Sequence, residues 1–576
     1  MQLNDTAGVF GQHSRASDWS ANATPWQSAA LCLAGALLSC VFTGFVFGIS
    51  NNQFHLPIME HLYDEPQFAQ DAFVQSLKYF SSGIWLFLRA LPKMADGGYT
   101  LFLLLFFGSR LLSFVGLVCC ASLLGINTLR ERLIFIAVVG ATTLLDGNSV
   151  AGHGGLFVTF FSHSEIANGT ILLAIFFAVK ARFDAALIFA GATFFINAFM
   201  GIWVLAPLMF IAIAILRNEE TSRRSLLSQT IVGAIGFAAF AAPILYNALS
   251  NPELRAPVDF DYTAFLREWY GAHYLIDANS AQDIFLLLAL IWLGWLSFKT
   301  FGDRAPRFRA ALLGALAVYL VGVIAPLIWP NPIMFKLHLL RSSAVIQMLA
   351  ALGAAALATK WLCSPDRKQA GLFGPLLLFC LCASKAVIPL AGVVVVLASR
   401  WQPKGTYAAL KPAILAALMV IVPWQFWQNT TLNRELTAAV ADWQAVGSWA
   451  KSNTAPESMF MILTTSAHSL EQMPEADAQR ALKLSTAAAA FEAAAHRRVW
   501  VDFFNGGMAV FQPSYYGEWH LRVTAVLSRR TLAEKLEYAQ RNGIGYVVDD
   551  CSLFEQGHVR PIYRGGLLCA AAASPS

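Results

Sequence analysis

The sequence predicts a polytopic α-helical membrane protein, with about thirteen transmembrane helices and a small α/β domain at its C-terminal end. Three observations lead there. Mostly apolar runs of about 16 to 25 residues recur from Ala29 onward, each long enough to cross a hydrocarbon layer if some are short or tilted. The chain is 57% hydrophobic and 13% charged with a mean hydropathy of +0.55, too apolar for a soluble globule. Beyond about Thr430 the composition changes to regularly spaced charge with soluble-domain patterning.

Residues 1–28 are polar, with only Asp5, Arg15 and Asp18 charged, and read as an N-terminal cytoplasmic tail. The first apolar run, Ala29 to Ile49, contains Leu37-Leu38-Ser39-Cys40, which approaches a lipoprotein cleavage box. No basic region precedes it and a long membrane chain follows, so it reads as an uncleaved span. Spans are expected near 29–50, 100–124, 133–146, 164–180, 184–199, 202–216, 229–247, 283–298, 309–328, 342–359, 371–385, 386–399 and 411–427. In the tight pairs 184–216 and 371–399, the turns are expected at Met200-Gly201 and Lys385.

Charge sets the expected orientation. Arg130 and Arg132, Lys180 and Arg182, Arg217 with Arg223 and Arg224, Lys299 to Arg309, Lys360 to Lys368, and Arg400 to Lys411 all fall on one side of such an arrangement. By the positive-inside rule that side is cytoplasmic. The opposite, exported side receives the large first loop 51–97, the segments 147–163, 248–282 and 329–341, and the domain 429–576, while 29–428 forms the membrane domain. In the tail, Leu432 to Asn453 and Thr531 to Asn542 read as helices. Met459 to Leu463, Arg498 to Phe504 and Gly545 to Asp549 read as strands, with a hairpin over Arg560 to Ala570. Six cysteines lie in apolar segments and Cys363 in a basic loop; only Cys551 and Cys569 sit in the tail, where export would let them form a disulfide. Neither has a second ligand at zinc spacing. No basic tract is dense enough for nucleic acid.

Five features carry ionisable chemistry. The first loop, from Gly48 to Ser82, is rich in acids, amides and aromatics and contains His55, Asp64, Glu65 and Asp71. If it is helical, Asp64-Glu65 and Asp71 stand two turns apart on one face and serve as a base or a metal ligand; the alternative is an amphipathic surface helix. The second, Asp146 to Glu165, combines Gly147, Gly152, Gly154 and Gly155 with Asp146, His153, His163 and Glu165. Non-helical backbone at membrane depth is tolerated only inside protein or along a cavity, and ionisable groups there are costly. Third, Lys336, His338 and Arg341 follow a Trp329-Pro330-Asn331-Pro332 turn and, like Lys385, break the positive-inside pattern. Cations there suit a phosphate, with snorkelling to headgroups as the alternative. Fourth, Arg110 lies inside a span and calls for an acidic partner. Fifth, His496, Arg497, Arg498, Asp502, Tyr515 to His520 and Arg522 gather aromatics, acids and arginine in the tail, for carbohydrate or headgroup contact or for packing onto the membrane part.

This layout of about thirteen spans, an acidic first loop (HLYDEPQFAQDAF) and a C-terminal exported α/β domain resembles the GT-C superfamily of membrane glycosyltransferases. A looser likeness is to bacterial multi-pass proteins with an NNQ-x-HLP run after the first helix and a Trp-rich helix before an NTAPES-like turn. The superfamily resemblance implies a bacterial inner-membrane location, a polyprenyl-phosphate-linked sugar donor and contact with membrane lipids. It also implies a first-loop acid facing the acceptor or a divalent metal ion. Asp64 or Asp71 would be that acid, Asp146 or Glu165 a second, and Lys336, Arg341 and Arg89 the phosphate ligands. The sequence departs from the pattern in having no DXD-type pair and no WWDYG motif. A secondary transporter or lipid flippase, and a non-catalytic envelope assembly protein, are the other classes; no internal repeat marks the transporter.

Overall fold

The computed structural model describes residues 21–80, 82–218, 222–366, 368–401 and 410–573. Residues 1–20 of the expected tail, and Arg367 and Lys404 of the basic loops, lie outside the described residues. In chain order the helices through the apolar part are α1 (Pro25–Thr43), α2 (Asn52–Met59), α3 (Ala72–Ser76), α4 (Gly83–Ala90), α5 (Tyr99–Leu123), α6 (Leu129–Ala141), α7 (His163–Val179), α8 (Phe183–Ile196) and α9 (Ala198–Arg217). They continue as α10 (Arg223–Leu249), α11 (Tyr262–Tyr270), α12 (Ala281–Lys299), α13 (Ala305–Ile328), α14 (Pro332–Lys336), α15 (Ser343–Cys363), α16 (Gly374–Ala383), α17 (Ile388–Arg400) and α18 (Leu410–Asn453). Among the described residues, 8 helices are long and apolar enough to cross a membrane, and three shorter apolar helices lie at His163–Val179, Phe183–Ile196 and Gln369–Ala383.

Local chemistry sets the boundaries. Thr24 and Gln27 form a capping box at the start of α1, with Pro25 in its first turn; Gly44, at φ 72°, ends the helix and returns its N–H to the Cys40 carbonyl. The first span therefore stops short of the expected Ser50. Asn197 caps α9 by accepting the Met200 N–H, so α8 and α9 turn at Asn197 rather than at Met200-Gly201. Gly201 instead lets α9 press against α8: a Cβ there would stand 2.4 Å from the Phe194 Cα.

Lipid offers no hydrophobic drive between helices, so close backbone approach does much of the packing. Gly169 on α7 faces the backbone of Leu112 and Ser113 on α5, and Gly294 on α12 faces Ala350 on α15. The α14–α15 stretch is the centre of the bundle, since every residue of its apolar window is buried. The α10 helix has the opposite setting, with Leu227, Ile235 and Tyr246 exposed as on a lipid-facing surface.

The segment 142–162 is irregular and held from all sides. Glu165 at the start of α7 pairs with Arg110 of α5 at 3.2 Å, both almost fully buried. Glu165 Oε1 accepts the Val158 N–H at 2.7 Å and Oε2 accepts the Ser109 hydroxyl at 3.0 Å, while Arg110 donates to the Val158 carbonyl at 2.6 Å. The expected acidic partner of Arg110 is thus Glu165. On its far side the segment docks on α13 and α15: Gln347 accepts the Val150 N–H, Tyr319 donates to the Ala151 carbonyl, and the Ser149 and Ser343 hydroxyls meet at 2.8 Å. A Cβ on Gly152 would stand 2.2 Å from the Leu340 carbonyl oxygen, so only glycine permits this approach.

Helix α18 runs unbroken from the last apolar run into the tail, so the two parts read as a span and a separate helix are one element. After it come β1 (Met459–Ile462), α19 (Ala467–Glu471), α20 (Glu475–Ala487), α21 (Ala489–Ala495), β2 (Arg498–Val499), α22 (Tyr515–Leu527), α23 (Leu532–Arg541), β3 (Tyr546–Asp550), α24 (Cys551–Gln556), β4 (Tyr563–Gly565) and β5 (Leu568–Ala572). They form one five-stranded sheet of order β2-β1-β3-β5-β4, with β1 parallel to β2 and β3 and β5 antiparallel to its neighbours. The strand expected over Arg498 to Phe504 ends at Val499, because the chain turns at Asp502, whose carboxylate caps the Phe504 N–H. Cys551 and Cys569 are joined as a disulfide between α24 and β5.

Breaking a buried ion pair strands the survivor's charge. Arg110→Met is expected to cost about 3–5 kcal/mol of stability, and adding Glu165→Leu to recover more than half of it, measured by unfolding of the detergent-solubilised protein.

Candidate functional site

Segments far apart in sequence meet on one side of the bundle. The first loop touches the tail where Glu65 accepts from His496 Nδ1 at 2.7 Å and from Lys93 at 2.9 Å. It touches the irregular segment where Asn52 donates to the Phe161 carbonyl. The 250–280 loop touches the tail through the stacked rings of Phe260 and Tyr516, 3.7 Å apart, and through Glu268 and His520.

Between these segments runs a continuous series of rings. His55 lies against Trp85 (centroids 4.8 Å) and His163 (5.9 Å), and Trp85 stacks on Phe80 at 4.0 Å. Phe80 meets Phe511 of the tail, Phe511 meets Phe199, and Phe199 meets His338 at 4.8 Å. From His338 the series passes to Tyr274, then His273, and on to Tyr270 at 4.1 Å and His153 at 6.1 Å. Along it the buried atoms His55 Nε2, Trp85 Nε1, His163 Nδ1, Trp269 Nε1, His273 Nδ1 and His338 Nδ1 have no hydrogen-bond partner.

Arg341 stands at the centre of this cluster. Its charge acts on His153, His163, His273 and His338, and the groups acting on it are Tyr270 and Tyr274. Among the described residues it makes no ion pair, and its Nε has no partner. Burial, together with Arg341, His338 and His153, pushes His273 well below the ordinary histidine range, and burial with His163 does the same to His55. Burial thus favours the neutral form of these two rings, in which each has one donor and one acceptor nitrogen. A half-buried arginine fork with no acid paired to it, in the company of imidazoles, is suited to a phosphate or another oxyanion. His153 (φ 54°) and His338 (φ 50°) both hold left-handed backbone, an uncommon conformation that concentrates at functional sites.

The remaining sequence candidates separate. Asp64 and Asp71 do not share a helical face: the chain reverses at His61 (φ 52°) and breaks into short turns at Leu62–Asp64 and Pro66–Phe68. The Asp64 side chain is 65% exposed, and Glu65 is occupied by Lys93 and His496. Arg89 is exposed and lies over the Tyr63 ring. Glu165 is taken up by Arg110, and Lys385 by the carbonyls of Asp146 and Asn148 at 2.7 and 2.9 Å. Lys336 is half-buried at the end of α14.

Two carboxylates keep open surroundings. Asp71 caps α3 through the Val74 N–H and faces a polar cleft of about 60 Å³ with Glu492, Arg498, Tyr515, Glu518 and Arg522. Burial pushes it up to about 6 against the pull of Arg498 and Arg522; nearby Asp502 is pushed by burial to about 7. Asp146 borders a cavity of about 540 Å³ between α1, α6 and α18, lined also by Ser39, Thr142, Lys385 and Asn429. Sequence reasoning missed Tyr270, His273 and Tyr274, although the dense Trp269-Tyr270-Gly271-Ala272-His273-Tyr274 run repeats the aromatic and polar character that drew attention to the first loop. It also missed Glu492, whose burial beside Asp71 and Asp502 only the fold creates. Among the described residues no group of three or more His, Cys, Asp or Glu side chains is placed to hold a metal ion.

No family model matches the chain, and no curated protein matches it. Among solved structures it is similar to ArnT from Cupriavidus metallidurans, bound to undecaprenyl phosphate. That similarity covers 96% of this chain and 99% of ArnT at 12% identity and a TM-score of 0.41. It is also similar to the arabinofuranosyltransferase AftD from Mycobacteria over 97% of this chain, at 13% identity and a TM-score of 0.41, and spans 40% of AftD's length.

Two measurements test the site's electrostatics. A half-buried cation without an acid partner contributes little to folding, so Arg341→Gln is expected to leave the melting temperature unchanged or raised, where loss of a structural arginine would lower it. Asp71 and Asp502 hold protons more tightly folded than unfolded, where the ordinary value is about 3.9. Their penalty is therefore absent below about pH 4 and complete above about pH 7, and stability falls across that window. Asp502→Asn is expected to flatten the fall in a pH series of unfolding midpoints.

Proposed function

We propose that this chain is a membrane glycosyltransferase that takes a sugar from a polyprenyl-phosphate-linked donor and passes it to an envelope glycan, lipid or protein acceptor. Transfer occurs on the exported face of a bacterial inner membrane, with the basic loops cytoplasmic. The observation that carries this reading is the cluster of Arg341 with His153, His273 and His338, which combines an arginine fork that no acid pairs with, among the described residues, with aromatic walls, the nearest acid acting on the cluster being Asp283 beside His153. Its position where loops and bundle meet suits a donor whose tail lies in lipid and whose phosphate lies at the surface.

In this reading Arg341 and the imidazole N–H groups hold the donor phosphate. As the bond from the sugar's anomeric carbon to the phosphate oxygen breaks, charge grows on that oxygen, and the fixed donors stabilise it. A carboxylate takes the proton of the acceptor hydroxyl as the new glycosidic bond forms. We assign this to Asp71, which lines the polar cleft between the first loop and the tail and makes no ion pair among the described residues, burial raising its pKa to about 6; in this reading the donor's sugar reaches from the Arg341 phosphate site to that cleft. Asp64 is exposed and Glu65 and Glu165 are already paired, which favours Asp71 for that role.

The cavity beside Asp146 and Lys385 favours a second reading, a transporter or lipid flippase, because it places a polar, charge-bearing space between spans. Mass spectrometry of envelope glycans separates the two. The deletion strain and the Arg341→Gln strain are expected to lack the same sugar, and Asp71→Asn to lower its transfer about 10²- to 10⁴-fold. An unchanged glycan profile in the deletion favours transport. A loss with Asp146→Asn but not Asp71→Asn moves the base to Asp146.

A further inference from the structure

A second cavity, of about 280 Å³, lies within the tail and uses none of the residues above. Its place follows from the sheet order: β1 has β2 on one side and β3 on the other, all parallel, so the chain leaving β1 and the chain leaving β3 diverge. In open α/β sheets, the crevice at the carboxyl ends of strands that diverge in this way is where ligands bind. The cavity is at that point, bordered by Thr464 and Thr465 just beyond β1 and by Asp549 and Asp550 at the end of β3. Its volume is near the lower bound for small-molecule sites, about 300 Å³.

The lining identifies the class of ligand. Asp550 pairs with Arg480 and Asp549 with Lys535, so both acids are neutralised while keeping lone pairs for hydroxyl donors. Arg529 lies over the Tyr538 ring and Arg530 donates to Gln472; among the described residues neither makes an ion pair. The crevice thus offers two charge-unpaired arginines against one further acid, Asp477, for a net positive lining, with the Ser552 side chain and apolar surface from Met473 and Leu553. We infer that it binds a sugar bearing an anionic group, a phosphate or a carboxylate, at a site distinct from the Arg341 cluster.

Titration calorimetry on the full-length protein in detergent tests this with glucose 1-phosphate and glucuronate as probes, and glucose and inorganic phosphate as controls. At least one charged sugar is expected to bind with a Kd of about 1 mM or tighter, with the controls about tenfold weaker. The Arg530 side chain is exposed and Met473 is 39% exposed, so Arg530→Ala and Met473→Trp are expected to fold. The first should weaken binding about tenfold and the second should abolish it by filling the crevice. Arg341→Gln should bind as wild type, which separates this site from the proposed transferase site. Failure of both charged sugars to bind below about 10 mM, or binding indifferent to both crevice substitutions, overturns the inference.

Discussion

The buried pair of Arg110 and Glu165 is the interaction on which the rest depends. A charged pair with almost no exposure is costly unless its remaining hydrogen-bonding capacity is used. Here Glu165 accepts from the Val158 N–H and the Ser109 hydroxyl and Arg110 Nη2 donates to the Val158 carbonyl, which fixes the end of an irregular segment between two helices, while Arg110 Nε and Nη1 make no hydrogen bond among the described residues. The guanidinium is further covered by the rings of Phe106 and Phe157, at 4.9 and 4.3 Å. The non-helical backbone of this segment is thus supported by buried side chains.

From that anchor the segment reaches Leu340 and Ser343, and this contact brings His153 beside Arg341. The same protein therefore contains two arginines with opposite settings, Arg110 fully buried and Arg341 half-buried. Arg110 has an acid and a backbone carbonyl and holds structure; Arg341 has aromatic rings, imidazoles and no acid. An arginine left in the second state lowers stability, and a fold retains such a cost where a ligand's charge relieves it. Left-handed backbone at His153 and His338 adds strain at the same place.

Much of this was legible in the sequence, and the failures have local causes. The apolar runs mark where helices form, and the glycines of 147–155 correctly signal irregular backbone, because both are properties of short windows. The shared face of Asp64 and Asp71 fails because a left-handed His61 and Pro66 divide the loop into separate turns, which periodicity cannot register. The meeting of Ser149 with Ser343, 194 residues apart, depends on the packing of α13 and α15, and no motif spacing encodes it. Tyr270 and His273 were visible as residues but not as a site, because their partners come from other loops. The tail's strands at 459–463 and 545–549 form close to where their apolar runs place them, whereas the alternating 498–504 yields only Arg498–Val499, and the crevice between β1 and β3 depends on strand order, which the pattern alone leaves open.

The central claim is that Arg341 and its imidazoles form a phosphate site. It is tested most directly by the ³¹P spectrum of undecaprenyl phosphate in lipid nanodiscs holding the purified protein. With the wild-type chain, a shifted and broadened resonance that saturates with protein is predicted. With Arg341→Gln, confirmed as folded by its melting curve, that resonance should return to the free-lipid position. An identical bound resonance in the two proteins, or no bound resonance in either, would contradict the account.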